Sequence, residues 1–166
     1  MDMVLTIIAS ILMLVGFFVI CRSSDDEEDE EEESDESWPM SDKKKRFRKL
    51  SESSSLCRLC PAMSDLPAVL SSKNGSIYTD LIFIAEAPGR FGSGRTGIPF
   101  HGDRSGDNFE QLLNYVGFKR KDIFVTNAVL CNPLKDGNNR RPTTKEIENC
   151  IPFLENLINI ITPKII

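Results

Sequence analysis

Apolar and polar positions fall into three unlike patterns along this chain. Residues 3–20 are without charge, residues 25–36 are acidic apart from Ser34, and from about Leu56 the pattern becomes that of a mixed α/β domain. Within that last part, Asp80-Leu81-Ile82-Phe83-Ile84-Ala85 is an apolar run entered from a polar loop. Such a run predicts a strand buried on both faces. Phe109, Leu112, Leu113 and Val116 then recur at helical spacing, with Gly117 as the stop. Residues 122–130 predict a second buried strand, followed by a loop rich in Asn, Gly and Arg. Thr143 and Glu146 form a capping box that opens a helix through Cys150, Phe153, Leu154, Leu157 and Ile161. Pro163 ends it, and Lys164-Ile165-Ile166 reads as the start of a third strand.

Strand, helix, strand, helix, strand predicts a doubly wound α/β fold with a mainly parallel sheet. Ligands of such sheets sit beyond the carboxyl ends of the strands. Ala85-Glu86-Ala87-Pro88-Gly89 and Thr126-Asn127-Ala128 both stand at that edge. The sequence stops as the third strand begins, so a sheet truncated there is the expectation.

Length divides the 166 residues into one domain plus extensions. Residues 1–22 form an apolar segment just long enough to span a bilayer. It lacks a basic n-region and a small-residue cleavage site, which suits an uncleaved anchor with a cytoplasmic body. A mistaken gene start explains it equally well. Cys21 reads as a membrane-edge thiol. Residues 23–55, acidic and then basic and Ser-rich, predict a disordered linker, and residues 56–166 the folded domain.

Charge follows the same division. Eleven of the 25 acidic residues lie in 25–36 and one precedes them, whereas 19 of the 20 basic residues follow, so residues 37–166 carry a net +6. A mildly basic body is compatible with a phosphate-backbone partner. Lys43–Lys49 reads either as an import-like patch or as a solvated linker. Cytosol, nucleus and membrane all remain open as locations.

The chemistry-bearing residues are first of all cysteines. Cys57 and Cys60 form a C-x-x-C pair, with Cys131 and Cys150 far downstream. Four thiols in a chain otherwise poor in cysteine suit a metal or cluster site better than disulfides. By count they hold a [4Fe–4S] cluster or zinc equally well. Taken singly, Phe100 reads as core, Asn127 as a strand-end amide, Asp103 as a turn or helix-cap residue and His101 as a loop residue. Arg140 and Arg141 read as phosphate contacts or as solvated loop.

Read jointly, these segments resemble a known family. Ile84-Ala85-Glu86-Ala87-Pro88-Gly89 with the stretch from Arg95 to Gly106 resembles the first motif of the iron–sulfur uracil-DNA glycosylases. The stretch Val125–Pro133 resembles their second motif, and Glu146–Leu154 the helix that gives their last cysteine. Glu86-Ala87-Pro88-Gly89 is similar to the branch called family 4, and Gly102-Asp103-Arg104-Ser105-Gly106 is closer to family 5. Ala85 stands where family 4 usually has glycine. The resemblance covers about residues 56–166.

It implies a uracil-DNA glycosylase of base excision repair, a monomer acting on uracil-containing DNA, with a [4Fe–4S] cluster on Cys57, Cys60, Cys131 and Cys150 and zinc as the alternative. Phe100 would stack on the base and Asn127 would pair with the uracil edge. Asp103 would be the first choice of catalytic carboxylate and Glu86 the second, while backbone N–H groups around Ala87 and Gly89 would face the uracil oxygen. A later His-Pro-Ser-like motif is also implied, and this sequence holds none, so an incomplete and inactive copy is part of the expectation. The alternative from another class is a membrane-tethered iron–sulfur or zinc binding module without catalysis.

Overall fold

The computed structural model describes residues 40–166. The apolar segment at residues 1–22 and the acidic part of the linker lie outside the described residues. Among the described residues no helix is long and apolar enough to cross a membrane.

The sheet is built as the apolar runs require. Strand β1 (Ile82–Ala85) and strand β2 (Phe124–Asn127) pair in parallel, with Ile82 opposite Phe124 and Ala85 opposite Asn127. Leu81 makes a further parallel bridge to Ile165 on the other side of β1. The third strand is therefore present only as that bridge. Successive side chains of a strand point to opposite faces, and here both faces are covered. Ile82, Ile84 and Phe124 pack against one helical layer, while Phe83, Ile123 and Val125 pack against another. The fold is thus α/β with a parallel sheet, helices lying on both sides.

Helix α1 (Asp42–Ser55) belongs to the first layer and corrects, over its own residues, the expectation of a disordered linker through residue 55. Its Phe47, Leu50 and Ser54 fall on one face, at spacings of three and four, and are buried. The run of lysines and arginines between them conceals that stripe. Ser41 caps the helix by accepting from the Lys44 N–H, and Phe47 meets Phe124 edge to face at 5.7 Å. Lys43 reaches the Ile161 carbonyl at 2.9 Å, where a cation suits the exposed carbonyl end of a helix.

Helix α2 (Ser93–Thr96) is a single turn in the loop after β1. Helix α3 (Arg104–Val116) forms the second layer and ends, as its sequence predicts, at Gly117 with φ 81°. After β2 the chain makes a small hairpin, β3 (Leu134–Lys135) with β4 (Asn138–Asn139), closed on Asp136-Gly137 with both residues at positive φ. Helix α4 (Thr144–Ile161) starts with the expected Thr143–Glu146 capping box and packs on α1.

Candidate active site

Period two fixes the centre of the site. Asn127 lies on the same side of β2 as Val125, and Ala85 on the same side of β1 as Phe83, so both strand ends present these residues toward α3 and the loop before it. A cleft of about 170 Å3 opens there, lined by Ala85, Ala87, Gly89, Ser93, Phe100, Asp103, Ser105, Asn127 and Asn139. That is room for roughly five or six waters, enough for one planar base but not for a stacked duplex. Phe100, Asn127, Asp103, Ala87 and Gly89, expected separately from three stretches of sequence, meet around it. Glu86 does not line the cleft and is exposed.

Asn127 is 3% exposed, and its Nδ2 has no hydrogen-bond partner among the described residues. A buried amide donor left unpaired costs about 1–3 kcal/mol unless a ligand takes it up. Phe100 sits at φ 49°, a left-handed conformation that costs a residue with a side chain about 1 kcal/mol or more. One face of its ring stacks on Phe109, with centroids 4.7 Å apart and planes 20° from parallel. Phe100 also lines the cleft.

Asp103 uses its two carboxylate oxygens separately. It is the N-cap of α3, with Oδ1 accepting from the Gly106 N–H at 3.0 Å. Oδ2 turns the other way, over Gly92, where a Cβ would stand only 2.2 Å from it. Glycine at 92 therefore makes room for the carboxylate. Gly89 donates its N–H to the buried Ser93 hydroxyl at 3.2 Å, so this amide is already engaged.

Ser93, Ser105 and Asn139 are lining residues that the sequence reading misses. Asn139 is carried by the hairpin and accepts from the Arg90 N–H at 2.9 Å, which ties the hairpin to the loop after β1. Asp136-Gly137 signals that hairpin. What the sequence does not signal is the face on which it closes.

Arg140 is taken out of the phosphate-contact reading by its partners. It donates to both Glu146 carboxylate oxygens, at 2.7 and 2.6 Å, and Glu146 also accepts from the Thr143 N–H at 2.8 Å. Arg141 remains exposed. The Arg140 guanidinium holds the Glu146 carboxyl well below its ordinary value of 4.5, at about 2, with the Thr143 N–H assisting against burial. A carboxyl depressed on folding contributes stability that is whole above its unfolded value and is lost as the pH falls toward its folded value. Glu146→Ala is expected to cost about 2 kcal/mol near neutral pH. In urea titrations the gap between the variant and the unaltered chain should close as pH falls from about 4.5 toward 2. A gap that persists at the acid end would show that the ion pair is not its source.

Cys57 and Cys60 come from the loop after α1, Cys131 from the loop after β2 and Cys150 from within α4; Cys60, Cys131 and Cys150 pack beside Met63, Leu66, Ala87 and Val129. All four are free thiols. Burial pushes the Cys131 thiol up to about 11, and the neighbouring Cys150, Cys57 and Cys60 add to it. Cys150 is raised as well, first by burial and then by Cys60 and Cys57 against a lowering backbone hydrogen bond at Leu130. Asn149 donates to the Leu59 carbonyl and to the Cys60 sulfur at 3.1 and 3.4 Å. Yet among the described residues no three metal-binding side chains stand close enough to hold an ion. Charges act over longer distances than coordination bonds, so the thiols form a shared neighbourhood rather than a closed cage. A donor set of four thiols, and nothing else, fits a cluster or zinc.

Comparison with known proteins places this geometry in a family. Residues 72–166 match the family model described as the uracil DNA glycosylase superfamily. A type-4 uracil-DNA glycosylase of Thermotoga maritima is 34% identical over 127 residues, covering 76% of this chain and 63% of that protein. The type-4 enzyme of Pyrobaculum aerophilum is 33% identical over 117 residues, covering 70% and 57%. A type-5 uracil-DNA glycosylase of the same organism is 28% identical over 103 residues, covering 54% and 44%. The chain spans less than two thirds of the length of each of these relatives. With the family model covering more than half of its residues, the chain belongs to the uracil DNA glycosylase superfamily.

Proposed function

We propose that this protein excises uracil from DNA by hydrolysing the bond between the base and its deoxyribose, the opening step of base excision repair. The observation that carries the reading is the buried Asn127 amide, its Nδ2 unpaired among the described residues, in one cleft with Phe100 and Asp103. A base inside a duplex is out of reach, so the uridine must be flipped out to enter. Its ring would lie on that of Phe100. Asn127 can donate to the uracil O4 and accept from its N3–H. Cytosine reverses both, presenting an amino group and a bare N3.

As the bond from N1 to C1′ breaks, its electron pair leaves with uracil and positive charge grows on the sugar. The Asp103 carboxylate stabilises that charge and orients the water that adds to C1′, taking its proton. Backbone N–H at Ala87 is the remaining donor for the departing uracil oxygen, since that of Gly89 is engaged. Glu86, exposed and outside the cleft, is the weaker choice of carboxylate. Cys57, Cys60, Cys131 and Cys150 would hold a [4Fe–4S] cluster, with zinc as the other metal their thiols suit. Its contribution would be structural, tying the loop after α1 to the loop after β2 and to α4.

The test is release of free base by the full-length, metal-loaded chain from single- and double-stranded oligonucleotides holding one uracil, with thymine and cytosine at the same position as controls. Uracil alone should be released. A protein that keeps its metal and releases no base would be a scaffold that has lost the reaction.

A further inference from the structure

Phe100 pays for its position with a left-handed backbone, so something must hold it there. Two groups close on its carbonyl. Gly106 packs against it so tightly that a Cβ would stand 2.6 Å away. Arg120, in the turn before β2, donates through Nη2 to the carbonyl of Phe100 at 3.2 Å and also to that of Pro99. These two carbonyls belong to the peptide units on either side of the strained φ, so the guanidinium grips the loop where it bends.

The same guanidinium acts on the ring of Phe100 as well. Its Cζ lies 5.2 Å from the centre of the Phe109 ring, which in turn stacks on Phe100. Glu110 fixes its orientation, with Oε1 3.0 Å from Nε. Arg120 thus meets Phe100 at both ends, through the backbone and through Phe109. The cost of this placement is visible. Nη1 is buried without a partner among the described residues, and burial lowers the Arg120 pKa against the opposing pull of Glu110. A guanidinium serving only to pair with Glu110 could do so in solvent.

We propose that Arg120, oriented by Glu110, is a positioning residue that holds the Phe100 ring in register with the base it stacks on. The inference rests on the uracil reading for its consequence, although the clamp itself can be tested without it. Lysine cannot replace this group, because one ammonium cannot keep Glu110 while donating to two carbonyls in a fixed plane.

The experiment uses the full-length chain with Arg120→Met, Arg120→Lys, Glu110→Gln, Phe100→Ala and the double variant Arg120→Met with Phe100→Ala. Amide hydrogen exchange is read over residues 98–103 and over β2, together with single-turnover uracil release. Arg120→Met should speed exchange in the loop while β2 keeps its protection, and should slow release by roughly ten- to a hundredfold. Arg120→Lys should recover little, and Glu110→Gln should fall between. In the Phe100→Ala background Arg120→Met should cost almost nothing further, since two residues acting through one ring do not add.

Equal losses in both backgrounds, or loop exchange unchanged in Arg120→Met, would overturn the proposal. If Arg120→Met does not fold, Glu110→Gln decides by the same two readouts. If the unaltered chain releases no uracil, the functional reading fails, and loop exchange alone then decides whether the clamp exists.

Discussion

Asp103→Asn is expected to release uracil roughly a hundredfold more slowly than the unaltered chain while unfolding at nearly the same urea concentration. The two carboxylate oxygens have separate tasks. Oδ1 caps α3 at Gly106, and asparagine caps helices as well as aspartate does. Oδ2 faces Gly92 and the cleft, and there asparagine offers no charge to a sugar cation and no base to water. Asp103→Ala should lose both, with the same fall in rate and about 1 kcal/mol less stability from the lost cap. Asn127→Ala should slow release to a similar degree without touching the cap, because its Nδ2 has no partner to lose among the described residues. Unchanged rates in Asp103→Asn and Asn127→Ala together would remove the site from this cleft.

Cys131→Ser should be the most damaging single change to the folded state. The residue stands in the loop after β2, near Cys57 and Cys60 of the loop after α1 and Cys150 of α4. If a metal ties these three, removing one ligand loses binding free energy that is also folding free energy, on the order of 4 kcal/mol or more. The expected readout is a large drop in the urea midpoint with loss of metal from protein purified without oxygen. Elemental analysis of the unaltered chain separates the candidates, since iron with acid-labile sulfide marks a cluster and zinc a single ion. Unaltered protein free of metal, matched in stability by Cys131→Ser, would leave the four thiols as ordinary packing.

The parallel pair and its covering helices were legible because β1 and β2 are buried on both faces, and a continuous apolar run states that directly. Helix ends were legible for the same local reason, through Gly117 and the Thr143–Glu146 box. Helix α1 was not. Its charged residues dominate any average over the segment, and only the spacing of Phe47, Leu50 and Ser54 reveals the buried stripe. Phe100, Asp103 and Asn127, which line one cleft, were singled out by likeness to a family, since each alone has an ordinary explanation. Arg120 carried no such signal. Its role comes from a carbonyl twenty residues earlier in the chain, and no local pattern encodes that meeting. Arg140 shows the converse, a basic loop residue that resembles a nucleic-acid contact until its bidentate partner is seen.

Helix α1 also sets the earliest moment at which its core cluster can close. Lys43 and its acceptor Ile161 are separated by 118 positions, and Phe47 and Leu50 share a cluster with Leu157, Ile160 and Ile161. A ribosome adding roughly 5–20 residues per second needs about 6–24 seconds to cover that interval. During translation helix α1 is therefore exposed before its partner exists, and the cluster closes only once α4 has been made. A newborn chain that waits with Phe47 and Leu50 uncovered exposes apolar surface that invites aggregation until α4 arrives.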